Sequence, residues 1–194
     1  TLKTTGNVAS GAITNGDYPF YRASVNNPHG SHNTFCFDNN TDEYILFVKS
    51  GGNALNPQSL SHGIGKVFLV NGKSSGNSDV QQLNIVDQNK SLTKYVFYIL
   101  KQMQLDIQSL ANYSTNLGHI DMTNFKNMII KIPNLRWQQR AVDFCEANDV
   151  HITQLEAQIE RNNACMKEII DDFINPDDDD AGAGAGGGGA AEED

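Results

Sequence analysis

The sequence predicts an α+β molecule: a mostly β domain over residues 1–134, a long coiled-coil-forming helix over 135–175, and an acidic tail over 176–194. Three observations predict it. The front of the chain consists of short apolar runs parted by Gly- and Asn-rich turns, the mark of strands and hairpins. A single strongly amphipathic stretch interrupts those runs. After Pro133 the apolar residues fall on alternating steps of three and four, the seam of a coiled coil.

The elements follow in order. Glu43 to Lys49 is a continuous apolar run, and Lys66 to Asn71 is another. Val80 to Val86 is weaker, with Leu83 and Ile85 alternating, and Met128 to Ile132 is a fourth run ended by Pro133. The turns between them include Gly51-Gly52-Asn53, Gly63-Ile64-Gly65, Gly72 and Gly76-Asn77. Ser91 is placed to cap a helix in which Leu92, Tyr95, Val96, Ile99, Leu100, Met103 and Ile107 share one face. A short second helix is expected after Thr123.

Pro133 and Asn134 mark the start of the long helix, and Asn175-Pro176 stops it. Its seam is Ile152, Leu155, Ile159, Asn162, Met166, Ile169 and Phe173. At 1.5 Å per residue it would reach roughly 60 Å, more than a domain of this size needs for its own core. Such a helix is a spacer or a handle for a partner, and Asn162 within the seam would set register at some cost in stability. The tail, Asp177 to Asp194, has no large apolar residue. Charge repulsion and glycine entropy predict disorder there, and a solubilising role.

The chain has 194 residues, 39% of them hydrophobic, enough to bury one core. No run approaches about 18 apolar residues, so no helical membrane span is expected. The opening, Thr1 to Gly6, has neither an initiator Met nor an apolar signal core and reads as part of a longer chain. Cys36, Cys145 and Cys165 are odd in number and widely spaced, which suits reduced thiols in a cytoplasmic setting. The net charge of −9 is unevenly divided. Residues 177–194 carry seven acids and no base, residues 135–176 eight acids and four bases, and residues 1–134 eight acids and ten bases. The domain is therefore slightly basic, and an anionic partner for it is admissible.

The motifs of catalysis fail one by one. Gly72-Lys73-Ser74 resembles the end of a phosphate-binding loop, but Val67 stands where that motif needs its first glycine. His29, His32 and Cys36 lack a fourth ligand at metal-site spacing. There is no GxSxG elbow, no HExxH, and no Asx-Pro-Pro-aromatic tetrapeptide of the kind that holds a flipped adenine. No catalytic residue and no cofactor of its own is expected. Asn and Gln side chains suit adenine edges, and Lys and Arg suit phosphates and guanine, but asparagine abundance alone singles out no partner, because an A/T-rich genome gives the same bias. Were DNA the partner, the residues placed to read it would be Arg22, Lys49, Asn53, Lys66, Lys73, Ser74, Asn77 and His119, all at strand ends or in Gly-rich turns.

Read in order, several segments resemble the target-recognition domain of type I restriction–modification specificity subunits. Gly16-Asp-Tyr-Pro-Phe-Tyr-Arg-Ala-Ser24 is similar to that family's G-x-Y-P-x-Y-x-A-S segment. Asp42 to Asn53 resembles its strand leading into a Gly-Gly-Asn turn, and Gly65 to Ser74 the following strand and glycine loop. Leu92 to Leu100 resembles its L-x-x-Y-x-x-Y-x-L helix. Ile130-Lys-Ile-Pro133 with Leu135, Gln138 and Gln139 is similar to the exit into its long helix. The likeness runs from about Gly16 to Ile174. It departs from the family pattern where the opening helix and strand are missing, and where Asn134, Arg136 and Trp137 replace parts of the exit motif. Trp137 is expected to staple the helix to the domain.

The resemblance implies a twisted, mostly β domain that recognises one half of a bipartite double-stranded DNA site. It also implies adenine-N6 methyltransferase subunits as partners, with S-adenosylmethionine belonging to them. The helix would pair with a second target-recognition domain or a second copy. Two other readings stand beside it: the C-terminal domain of a fused methyltransferase or endonuclease, and a coiled-coil protein-interaction module without DNA binding.

Overall fold

A computed structural model describes residues 2–3, 12–24, 27–40, 43–51, 63–114 and 117–174. The chain divides into two compact units, Thr1–Cys145 and Glu146–Asp194. In the first unit the elements run β1 (Leu2–Lys3), β2 (Tyr18–Tyr21), β3 (Gly30–His32), β4 (Tyr44–Val48), β5 (Ser50–Gly51), β6 (Val67–Val70), β7 (Ser75–Gly76), β8 (Val80–Leu83), α1 (Thr93–Gln102), α2 (Gln104–Ser109), β9 (Ala111–Asn112), β10 (Gly118–Ile120) and α3 (Met122–Lys126). A final helix, α4, spans Leu135–Ile174. The fold is α+β, as expected, and the described strands form three small sheets: β1-β8-β4-β6, β5-β10-β9 and β3-β2-β7.

Strand β4 explains the uninterrupted apolar run at its centre. It pairs antiparallel with β6 (Ile45↔Leu69) and with β8 (Phe47↔Gln81), and all five of its residues are buried. Alternate side chains enter two separate cores. Tyr44, Leu46 and Val48 join Tyr21, Phe37, Val70 and Val80 on one face. Ile45 and Phe47 join Ile64, Val67, Leu100, Ile107 and Ile120 on the other. A strand covered on both faces needs apolar residues throughout.

Four expectations change. The Met128–Ile132 run forms no strand. Met128 and Ile130 pack on the second core while Ile129 is 88% exposed, and Tyr95 donates its hydroxyl to the Lys131 carbonyl at 3.0 Å. Alternation there records one-sided burial without a pairing strand. Strand β8 ends at Leu83, short of Val86. The helix expected from Ser91 to Ile107 breaks at Met103 into α1 and α2, and α1 has no side-chain cap of its own. The short helix α3 starts one residue before Thr123, with Asp121 Oδ1 accepting from the Thr123 and Asn124 amides at 2.8 and 3.1 Å.

Gln138, wholly buried at the start of α4, takes over the capping role at α1. Its Oε1 accepts from the Leu92 amide at 2.8 Å, and its Nε2 donates to the Lys90 and Pro133 carbonyls at 2.8 and 2.6 Å. Gln138 and Val142 are the two buried residues of α4, so its first turns belong to the first unit. Trp137 does not staple the helix to the domain. It is 57% exposed, with the Arg140 guanidinium 4.8 Å from its ring centre. In α4 the seam residues Ile152, Leu155, Ile159, Met166, Ile169 and Phe173 are all exposed, as is Asn162. Among the described residues no helix is long and apolar enough to cross a membrane.

Candidate nucleic-acid interface

The ends of four strands meet at one edge of the first unit, joined by backbone hydrogen bonds. Arg22 follows β2 and is exposed, its own backbone clamped by the Asn27 side chain. The Arg22 amide donates to Asn27 Oδ1 at 3.1 Å, and Asn27 Nδ2 donates to the Arg22 and Ser24 carbonyls at 3.2 and 2.9 Å. Parallel pairing of β2 with β7 (Phe20↔Ser75, Tyr21↔Gly76) brings Asn77 alongside, its amide donating to the Tyr21 carbonyl at 3.3 Å. The Lys49 amide then donates to the Asp79 carbonyl at 2.8 Å, and the Lys49 carbonyl accepts from Ile120 at 2.8 Å. His119 pairs with Ser50 across β10 and β5, its Nδ1 lying 3.1 Å from the Ser50 hydroxyl.

The circuit closes where β5 meets the residue after Arg22. A Cβ added to Gly51 would lie 2.6 Å from the Ala23 Cβ, so the contact requires glycine. A second close approach sits behind it: a Cβ on Gly63 would lie 2.6 Å from the Ala23 carbonyl carbon. Arg22, Lys49 and His119 thus stand on one hydrogen-bonded backbone rim, Arg22 and His119 exposed and Lys49 half-buried.

The other expected DNA-reading residues are placed differently. Asn77 belongs to this rim, but its amide is engaged locally: Nδ2 donates to Asp79 Oδ2 at 2.7 Å, and Oδ1 accepts from the Asp79 amide at 3.2 Å. That is an Asx turn, which fixes the backbone. Lys73 lies at the opposite end of the β2–β7 pair, beside the Tyr18 end, with its ammonium 4.2 Å from the Phe35 ring centre. Ser74 is a correction. It is wholly buried, its hydroxyl 2.7 Å from the Tyr44 hydroxyl and its backbone bridged to Phe37, so its side chain faces the core and no groove. Asn53 lies outside the described residues.

Lys66 opens a second feature, a cleft of about 400 Å³ between β6 and α1 that Lys101, Gln104, Asn27 and Tyr21 also line. Burial pulls the Lys66 ammonium below the usual lysine range. Sequence reasoning passed over Asn27, Lys101 and Gln104. Asn27 carried a usable signal, an Asn-Pro step six residues after Tyr21. The pairing of Lys66 with Lys101 carried none, since it arises from α1 packing on β6.

Comparison with known proteins decides the family. The family model for the type I restriction modification DNA specificity domain matches residues 9–162. The chain belongs to that family. Among solved structures, it is similar to the type I restriction-modification system S subunit from M. genitalium. The TM-score is 0.60 at 23% identity, with 92% of this chain and 44% of that one covered. The specificity domain therefore spans less than half the length of that subunit, with which it shares its fold. None of the curated proteins matches the chain.

Proposed function

We propose that this specificity domain recognises one part of a double-stranded DNA target through the rim that carries Arg22, Lys49 and His119. The observation that supports the reading most is the hydrogen-bonded circuit that gathers the backbone of these three residues, Arg22 and His119 exposed and Lys49 half-buried. Side chains on rigid backbone at a strand-end rim can enter a groove without the cost of ordering the backbone. Arg22 suits guanine and Lys49 a phosphate. In this reading the domain has no reaction of its own and no cofactor. It acts in the cytoplasm and directs adenine-N6 methyltransferase subunits, which bring S-adenosylmethionine and flip the target adenine. The apolar seam of α4 pairs with the equivalent helix of a second target-recognition domain or of a second copy.

Fluorescence anisotropy of the full chain with a random duplex pool at low salt tests the first step. Weak, strongly salt-dependent binding is expected, because phosphate contacts dominate such interfaces. After selection of a preferred duplex, Arg22→Ala should cost roughly 1–3 kcal/mol on that duplex and much less on random DNA. Lys49→Ala should weaken binding to all duplexes alike. Failure to bind any duplex would favour a coiled-coil interaction module instead.

A further inference from the structure

We infer that the cleft between β6 and α1 seats a phosphodiester of the DNA backbone, next to the rim that reads the bases. The inference rests on the DNA-binding reading above and adds a site to it. Gln104 lines the cleft and is only 8% exposed, and its Nε2 is buried with no hydrogen-bond acceptor among the described residues. A buried amide donor left in that state is costly, and an oxygen acceptor brought into the cleft would relieve it. Cations stand on two walls. Lys66 enters from the start of β6, half-buried, and Lys101 from the last turn of α1, its ammonium 5.9 and 5.7 Å from the Phe97 and Tyr98 ring centres. None of the described residues lining the cleft is acidic. A buried donor flanked by two ammonium groups accepts a monoanionic oxygen ligand.

The cleft is held rigid, as a binding site needs to be. Gly65 takes a positive φ of 77°, and a Cβ there would lie 3.2 Å from Gln108 Cγ and 3.3 Å from the Gln104 carbonyl oxygen. The turn carrying Lys66 is therefore pressed onto α2, and Gln108 Nε2 secures it by donating to the Ile64 carbonyl at 3.0 Å. Burial lowers the Lys66 pKa, and an anion in contact would raise it again. The cleft also adjoins the rim. Tyr21 lines it and Arg22 is the next residue, while Asn27 lines it and clamps the Arg22 backbone. A strand whose bases meet Arg22 can thus place a neighbouring phosphate against Lys66, Lys101 and Gln104.

The test measures binding of the full chain and its Lys66→Ala, Lys101→Ala and Gln104→Met variants to several unrelated duplexes over a range of salt. Each lysine variant should lose the same factor on every duplex and flatten the plot of log affinity against log salt by about one unit. Gln104→Met should weaken binding with the slope unchanged, since it removes a donor and no charge. Lys101 is exposed on a helix, so its alanine variant keeps the fold and the test decisive even where Lys66→Ala is poorly folded. An unchanged slope in Lys101→Ala, or a loss confined to the preferred duplex, would overturn the phosphate seat while leaving the DNA-binding reading intact. Failure of the unmodified chain to bind any duplex would overturn both.

Discussion

Replacing Gln138 by Leu should unfasten the start of the long helix from the domain. The side chain is wholly buried and satisfies three backbone groups from two separate segments: the Leu92 amide and the Lys90 and Pro133 carbonyls. Leucine fills a similar volume, so the loss is one of hydrogen bonds more than of packing. A buried group left unpaired costs roughly 1–3 kcal/mol. Lys90 and Pro133 are exposed residues whose carbonyls can turn toward water, so the low end of that range applies to each. With about 1–3 kcal/mol for the Leu92 amide, the three losses come to about 3–5 kcal/mol, a large share of a typical stability of about 5–15 kcal/mol. Urea unfolding followed by the fluorescence of Trp137, the neighbouring residue, reads this as a lower midpoint at unchanged slope. Gln139→Ala is the control. Gln139 is exposed and bonds Asp143 within its own helix at 2.7 Å, so its loss should stay within about 0.5 kcal/mol. Equal midpoints for Gln138→Leu and Gln139→Ala would refute the assignment of Gln138 as the fastening.

Other outcomes follow from the same structure. Burial pushes the Tyr44 phenol up to about 12, the hydrogen bond to Ser74 opposing this. An unfolded tyrosine ionises near pH 10, so the folded state keeps its full stability below about pH 10 and loses it as pH rises toward about 12. Tyr44→Phe should reduce that alkaline loss by on the order of 2 kcal/mol, read from urea midpoints on either side of about pH 10; identical losses would refute it. Gly16→Ala should destabilise the domain by about 2 kcal/mol or more, seen in thermal unfolding, because its Cβ would lie 2.5 Å from the His32 backbone. Leu155→Lys with Ile159→Lys should abolish self-association in sedimentation equilibrium while far-UV dichroism of the domain persists. An unmodified chain that stays monomeric at high concentration would count against the seam as an interface.

Local patterns carried much of this molecule. The apolar run of β4, the 3.6-residue face of α1 and the Pro133–Asn134 start of α4 are each written into neighbouring residues, because strand and helix burial impose short periods. The ordered motifs from Gly16 to Gln139 were also legible, and Gly16 and Gly51 owe their identity to close approaches, of the His32 backbone and the Ala23 Cβ, that admit no side chain. Tertiary structure decided the rest. Whether an alternating run finds a strand partner depends on distant backbone: Val80–Leu83 lies beside β4, and Met128–Ile132 pairs with no strand among the described residues. Ser74 and Lys73 are adjacent in a glycine loop, yet pairing across to Phe37 buries the first and leaves the second exposed. The rim of Arg22, Lys49 and His119 and the cleft of Lys66, Lys101 and Gln104 are assembled from residues far apart in the chain. Sequence determines which side chains are available for such sites. Only long-range backbone pairing determines which of them meet, since those hydrogen bonds join segments with no common period.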